Sequence, residues 1–426
     1  MSGFAKYLPA FGWKPYVLTI KEKYIEKLDN SNLEHLDDVQ IFRTRKSPSL
    51  LEEFVKIMKV FKKKSTGDHK APERVERLHF MSEYVPSLET PTQKLKRLVY
   101  SLLLSLPDYE KNWIIPACQR GLRLIKDKGL RYILTSSPPH SAHLVGLILK
   151  KLTHVRWIAD FRDPWMTPFS KGLYYTSAFS NRIERFLERE VVRKADLVLC
   201  NTELLCEMFK TKFTGVSKRK FICLPNGFDD EVFSNLRSIE KYETFTLCYT
   251  GTIYLGRTPE PVFQALQELD KEKGLRLRDI RIKLVGNCRY LDARLTSEVV
   301  SSYGLDSVVE IIDHVPYSRS LEIIRKSHLA LLLASDQPYQ IPAKVYDYIG
   351  AGTRILALTE EGATANLING TGSGMAIDPT DIQGIKGYIR RCIQNVNDLR
   401  KDEANAYIHF DRKAIIRRFV QLLESM

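Results

Sequence analysis

Short continuous apolar runs alternate along this chain with longer stretches whose apolar residues recur at helical spacing. The first half opens with a helix-like stretch over Gly3–Ala10 and a strand within Trp13–Ile20, where Tyr16, Val17, Leu18 and Ile20 cluster. From residue 113 the rhythm becomes regular. Trp113–Lys128 has helical spacing, Tyr132–Thr135 reads as a strand ending in Ser136, Ser137, Pro138 and Pro139, and Ala142–Leu152 reads as a helix. Strands at Val155–Ala159, Leu197–Cys200 and Phe221–Leu224 are separated by a charged helix, Asn181–Lys194, and a second helix, Glu203–Phe213. The second half restarts the pattern. It predicts strands at Phe245–Tyr249, Ile280–Val285, Val308–Ile312, Leu329–Leu333 and Ile355–Leu358. Helices fall at Glu260–Lys271, near Ala293–Tyr303, at Ser318–Ser327 and from Pro342 to Gly350, with a basic amphipathic tail helix at Asp411–Ser425.

Strand, turn and helix repeated in this way predict an α/β protein with parallel sheets covered by helices on both faces. The turn-rich segment Pro225–Asp229 marks a join between two such units. Doubly wound domains facing each other across a cleft bind ligands beyond the carboxyl ends of their strands. Residues 45–95 are the least regular part. They carry a basic amphipathic run, Leu51–Lys64, and a second amphipathic run follows at Lys94–Leu106.

The composition excludes several classes. A hydrophobic fraction of 44% and a charged fraction of 27% over 426 residues are globular values, which rules out disorder, collagen and coiled coil. No apolar stretch reaches the ~18 residues of a membrane span, and Met1–Lys6 lacks the pattern of a signal peptide. The seven cysteines form no C-x-x-C pair, as expected of free thiols in the cytoplasm. The net charge of +14 is unevenly placed: residues 1–235 hold 40 of the 65 Lys and Arg but only 27 of the 51 Asp and Glu. A basic first half attracts an anionic membrane surface, a phosphorylated substrate or a nucleic acid. Nucleic acid is the weakest of these, because no helix-turn-helix, RNA-recognition or zinc pattern accompanies the charge.

Five segments then carry a resemblance: YILTSSPPHSAHLVGLILKKLTHVRWIADFRDPW (132–165), ADLVLCNTE (195–203), LPNGFDDEVF (224–233), YTGTIYLGRTPE (249–260) and IPAKVYDYIGAG (341–352). In order and spacing the chain resembles bacterial glycosyltransferase family 4. The resemblance implies a GT-B fold of two Rossmann-like domains. It places an acceptor-side domain at 1–229, a nucleotide-sugar-binding domain at 230–402, and a C-terminal helical segment at 403–426 that can cross back to the first domain. It implies transfer of a sugar from a nucleotide sugar to a glycan or lipid-linked acceptor in cell-surface polysaccharide synthesis. The reaction would be retaining, without metal or cofactor, on the cytoplasmic side of the membrane and peripheral to it.

Breaking the bond between an anomeric carbon and a diphosphate leaves negative charge that cations and backbone N–H groups must meet. Lys344, in the first turn of a helix opening at Pro342, and Arg257, after Thr250-Gly251-Thr252, have the right chemistry. The resemblance extends the donor site to Gly251, Thr252, Val315, Ile341, Val345 and Asp347. Asp347 stands where the family has the second glutamate of E-x7-E, which binds ribose hydroxyls. The first glutamate is replaced by Tyr339, leaving Gln337 and Gln340 as nearby polar groups, and the cation often found at Thr252 is absent. On the acceptor side, Ser137 and His143 follow a strand end, and His140, Asp160, Arg162 and Asp163 are the catalytic candidates. For the three charges at the end of the Val155–Ala159 strand, a structural Arg–Asp network is an equal reading, since unpaired charge is costly to bury.

Two alternatives stay open at this level: a nucleotide-sugar epimerase of the same fold, and an inactive truncated copy. The second arises because a Rossmann-like domain opens with a strand and a Gly-rich loop, whereas this chain opens at the following helix. The expectation is an unpaired edge beside Tyr16–Thr19.

Overall fold

The structure is a computed structural model, and it describes residues 2–25, 39–48, 106–167, 177–236, 238–254, 256–272, 276–396 and 410–426. The basic runs Leu51–Lys64 and Lys94–Leu106 therefore lie outside the described residues, apart from Leu106. The chain divides into two units, Met1–Cys223 and Leu224–Met426.

The first unit runs α1 (Ser2–Tyr7), β1 (Tyr16–Ile20), β2 (Gln40–Thr44), α2 (Ile114–Lys128), β3 (Tyr132–Ser137), α3 (Ser141–Leu152), β4 (Arg156–Phe161), α4 (Ala178–Lys194), β5 (Leu197–Cys200), α5 (Glu203–Lys212) and β6 (Phe221–Cys223). Strands β3, β4, β5 and β6 form a parallel sheet in that order, while β1 and β2 pair with each other, also in parallel. Among the described residues β1 and β3 are each hydrogen-bonded along one edge only. Their residues are nearly all half-buried, whereas β5 is wholly buried and β4 is buried beyond its first residue. Leu18 and Ile133 pack on one apolar cluster with Val145 and Leu149, and Trp13 meets the Tyr132 ring edge-on at 5.3 Å. Strand β2 escapes the periodicity reading because Gln40 and Arg43 interrupt its apolar residues.

The second unit runs α6 (Asp230–Ser234), β7 (Phe245–Thr250), α7 (Glu260–Lys271), β8 (Ile280–Val285), a small hairpin of β9 (Tyr290–Leu291) and β10 (Arg294–Leu295), α8 (Thr296–Ser302), β11 (Val309–Ile312), α9 (Tyr317–Lys326), β12 (Leu329–Leu333), α10 (Lys344–Gly350), β13 (Arg354–Leu358), α11 (Ala363–Thr371), β14 (Gly374–Ile377), α12 (Ile382–Gln394) and α13 (Arg412–Ser425). The sheet order is β11-β8-β7-β12-β13-β14, all parallel. Strands β7 and β12 are buried along their whole length, as expected of central parallel strands with helices on both faces. Separate apolar clusters fill the two sides of the sheet. The LPNGFDDEVF segment belongs to this unit: Phe228 and Phe233 pack so closely on Gly350 that a Cβ there would lie 2.9 Å from both rings. The tail joins the same unit, with Phe228 N–H donating to Phe410 O and Arg412 N–H to Phe228 O.

In the first unit a helix and a strand meet at Gly146 of α3, where a Cβ would run into the indole of Trp157. Trp157 is fully buried on β4 and donates from Nε1 to Thr135 Oγ1 at 2.9 Å, so it has nowhere to move. Gly146→Ala should destabilise the protein by about 1–3 kcal/mol through overpacking. Gly215→Ala, at a position with open space around it, should leave the unfolding midpoint unchanged. Equal denaturant midpoints for the two variants would contradict this packing.

Candidate functional site

In the second unit the chemistry gathers beyond the ends of β7 and β8. Strand β7 delivers Gly251, whose φ of 125° is a conformation that side chains resist. Its N–H donates to Val285 O at 2.8 Å. Gly286, with φ 113°, lies so near that a Cβ would strike Gly251 O. Lys344, the first residue of α10, holds its ammonium 4.1 Å above the Tyr249 ring. A Cβ on Gly251 would lie 2.8 Å from that nitrogen. Glycine is thus required here for its backbone, with the mobile end of the lysine lying beside it. Burial pushes the Lys344 pKa down to about 8, and the charge of Arg257 adds to the effect.

Arg257 is itself 8% exposed. Its guanidinium stands 4.9 Å from the Tyr254 ring centre and donates from Nη1 to the Tyr254 hydroxyl at 3.1 Å. Thr252 is exposed, and its carbonyl accepts the Tyr249 hydroxyl at 2.7 Å, which fixes the ring under Lys344. Two tyrosines therefore position two cations, one by its face and one by face and hydroxyl together.

Asp347 is half-buried one turn along α10, and its Oδ1 accepts the Tyr317 hydroxyl at 2.8 Å. Burial raises its pKa against the opposing pull of Tyr317, Arg412 and Lys344. Val345 is wholly buried in the core, with Val315 and Ile341 packed partly buried on the same cluster. Gln340 is buried, while Gln337 and Tyr339 are half-buried. One expectation is corrected. The helix opens at Lys344, not Pro342, and has seven residues. The N–H groups of Val345 and Tyr346 are already bonded to Pro342 O and Ala343 O, so the site's positive charge resides in side chains rather than in a helix terminus.

In the first unit the candidates fall into two groups. Asp160 is fully buried at the end of β4, and its Oδ2 accepts from Arg162 Nε and Ser136 Oγ, each at 2.8 Å. The Arg162 guanidinium also lies 5.7 Å from the Phe4 ring centre, and its backbone is tied by Asn201 Nδ2 to Arg162 O and by Arg162 N–H to Ser137 O. This is the Arg–Asp network weighed above, with Arg162 and Asp163 half-buried beside it. His140 is 6% exposed and stacks on Trp165 at 4.7 Å.

Ser137 and His143 face inward. His143 is wholly buried, with Nδ1 2.8 Å from Thr135 Oγ1 and Nε2 2.9 Å from Ser137 Oγ. Burial pushes its pKa down to about 3. The neutral ring braces α3 against β3 through these two contacts. Asp108, which no motif announces, is 2% exposed and accepts the N–H groups of Ser141 at 2.7 Å and Glu110 at 2.8 Å, capping α3 from 33 residues away. Tyr249 and Tyr254 stood within the YTGTIYLGRTPE segment, so their signal was present. Tyr317 had none.

The His143 geometry fixes a pH dependence. The folded state keeps the ring neutral down to about pH 3, whereas the unfolded chain takes up a proton below its ordinary value of 6.5. Its contribution to stability is therefore intact above that value and is lost on acidification, by about 2 kcal/mol at about pH 5. His143→Asn should be less stable at neutral pH yet lack this slope in urea unfolding. An identical slope in the variant would show that the acid sensitivity lies elsewhere.

No protein-family model and no curated protein sequence matches the chain. Solved structures do. A glycosyltransferase from Rickettsia africae aligns over 99% of this chain and 93% of its own, at 13% identity and a TM-score of 0.60. The sucrose-phosphate synthase of Thermosynechococcus elongatus aligns over 99% and 91%, at 14% identity and 0.63. HepE of Anabaena, solved in complex with UDP, aligns over 73% and 82%, at 16% identity and 0.57. Likeness at such identities is a likeness of fold: the chain has the GT-B fold, built from two Rossmann-like domains.

Proposed function

We propose that this protein is a glycosyltransferase that moves a sugar from a nucleotide-sugar donor to a glycan or lipid-linked acceptor in cell-surface polysaccharide synthesis. The observation that carries the reading is the pair of tyrosine-held cations, Lys344 and Arg257, beside the Gly251 backbone at the strand ends of the second unit. Such an arrangement suits a diphosphate: the cations are in place before the charge develops and need no reorganisation when it does. The UDP complex of HepE makes UDP the first base to test.

In this reading the bond from the anomeric carbon to the diphosphate oxygen breaks, and the acceptor hydroxyl oxygen bonds to that carbon. The hydroxyl proton passes to the departing phosphate oxygen, which gives a retaining, metal-independent transfer. Lys344 and Arg257 meet the leaving charge, and Asp347, oriented by Tyr317, takes the ribose hydroxyls. Arg162, aimed by Asp160, serves the acceptor side with Asp163 and His140. The place of action is the cytoplasmic face of the membrane; among the described residues no helix is long and apolar enough to cross it.

Lys344→Ala should weaken UDP binding by about ten- to a hundredfold, the worth of a charge-assisted contact, with little change in melting temperature. Arg257→Ala should act similarly, and the double variant should lose less than the sum if both grip one diphosphate. Calorimetry that finds unchanged UDP affinity in Lys344→Ala overturns the assignment.

The pH dependence follows from the depressed lysine. The cation binds the anion, and the unliganded lysine loses its proton as the pH rises through about 8. UDP affinity in the parent should therefore fall above that pH, by up to about tenfold per unit, and the fall should vanish in Lys344→Ala. A parent affinity that is flat across this range would contradict the role given to Lys344.

A further inference from the structure

Helix α4 of the first unit has an unusual division of charge. It begins at a capping box in which Ser177 and Ser180 bond reciprocally. It turns Ser180, Glu184, Glu188, Val191 and Val192 into the interior. Two of its glutamates are thereby consumed: Glu184 Oε2 accepts Trp165 Nε1 at 2.8 Å, and Glu188 Oε2 accepts Lys212 Nζ at 2.6 Å. The third, Glu190, is gripped by Arg193 through bonds of 2.9 and 3.2 Å. The outward face therefore keeps no uncommitted carboxylate.

That face carries arginines and aromatic rings instead. Phe179 is 56% exposed and Phe186 is 61% exposed. Arg182, Arg185 and Arg189 are exposed, and none has an ion-pair partner among the described residues. Phe179, Arg182, Phe186, Arg189 and Arg193 follow the spacing i, i+3, i+7, i+10, i+14, which is one stripe of a helix. The stripe is about 20 Å long at 1.5 Å per residue. The end of α3 extends it. Leu152 there is 63% exposed, and the adjacent Lys151 lies near enough to Glu190 to help Arg193 keep that carboxyl below its usual range.

We propose that this face of α4, with the end of α3, docks the protein on an anionic lipid surface. Phe179, Phe186 and Leu152 enter the headgroup layer, and Arg182, Arg185 and Arg189 meet the lipid phosphates. Charge complementarity selects this occupant. A helix face that is cationic throughout and carries exposed aromatic rings matches a surface that is anionic outside and apolar just beneath. A nucleic acid would answer the arginines but gives no reason for Leu152. The site differs from the basic runs at Leu51–Lys64 and Lys94–Leu106. The proposal gives a physical place to the membrane-side setting of the function above, but its test needs neither donor nor acceptor.

The test is co-sedimentation of the full chain with phosphatidylcholine vesicles made with and without phosphatidylglycerol. The parent should bind the anionic vesicles only, and more weakly as salt rises. The triple variant Arg182→Gln, Arg185→Gln, Arg189→Gln should bind about a hundredfold less, at about fivefold per arginine. The double variant Phe179→Ser, Phe186→Ser should lose the binding that persists at high salt. Both variants should keep the parent's melting temperature and UDP affinity, because no residue of α4 takes part in donor binding. Three results overturn the proposal: no binding of the parent to anionic vesicles, parental binding by both variants, or tighter binding to RNA with the same arginine dependence and indifference to the phenylalanines. Failure of the parent to bind UDP would bear on the proposed transfer and not on this surface.

Discussion

Keeping the Lys344 ammonium charged while it sits half-buried against the Tyr249 ring is the constraint to which the polar end of the second unit conforms. A cation withdrawn from water must be compensated locally. Here the aromatic face supplies part of the compensation, and Asp347, one turn along the helix, supplies opposite charge. The surrounding backbone is equally constrained. Gly251 takes a conformation that side chains resist, Gly286 has no Cβ because the Gly251 carbonyl occupies its place, and the Thr252 carbonyl anchors the Tyr249 hydroxyl. The site is poised rather than satisfied. Its lysine pKa is depressed because the local anions do not fully offset burial, and a bound diphosphate is the kind of group that would.

The first unit solves the opposite problem. Its strand ends also carry charge and imidazole, but there they are neutralised internally. Asp160 is shared by Ser136 and Arg162, and His143 is held neutral between two hydroxyls. The network is only partly satisfied, because Asp160 Oδ1 is buried without a hydrogen-bond partner among the described residues, and Arg162 and Asp163 are its half-buried members. On the outside of the same unit, α4 uses its glutamates inward and its arginines outward. A net positive charge that composition reports as a bulk property becomes, in part, a face with a direction.

Much of this was legible in the chain. Parallel-strand segments such as Leu329–Leu333 are continuous apolar runs because both faces are covered, so the alternating architecture could be read directly. Lys344 and Arg257 were candidates because a cation after a strand end can meet an anion and because their segments resemble glycosyltransferase family 4, and Asp347 only because its segment resembles that family's E-x7-E motif. Other elements were not legible for definable reasons. Strand β2 is too interrupted by polar residues, Gln40 and Arg43, to show a period. The segment after residue 358, which holds α11, β14 and α12, lay beyond the reach of the periodicity reading, although Ile385, Ile389 and Cys392 sit at helical spacing.

What the sequence by itself determined is the alternation of elements and the split into two α/β units, because both depend on local spacing; it named candidate residues by their chemistry and family resemblance alone. Only the tertiary structure decided which of these residues act outward. His143 and Ser137 carry the same chemistry on paper as a catalytic pair, yet folding places them against each other in the interior. Arg182 and Arg189 look like any solvated helical charges until the inward commitment of Glu184 and Glu188 leaves them without an ion-pair partner among the described residues. The physical reason is that charge and burial are properties of a neighbourhood. A residue's partners across a helix face or a sheet come from segments tens of residues away, as Asp108 caps α3 and Tyr317 orients Asp347, and no local pattern in the chain encodes that meeting.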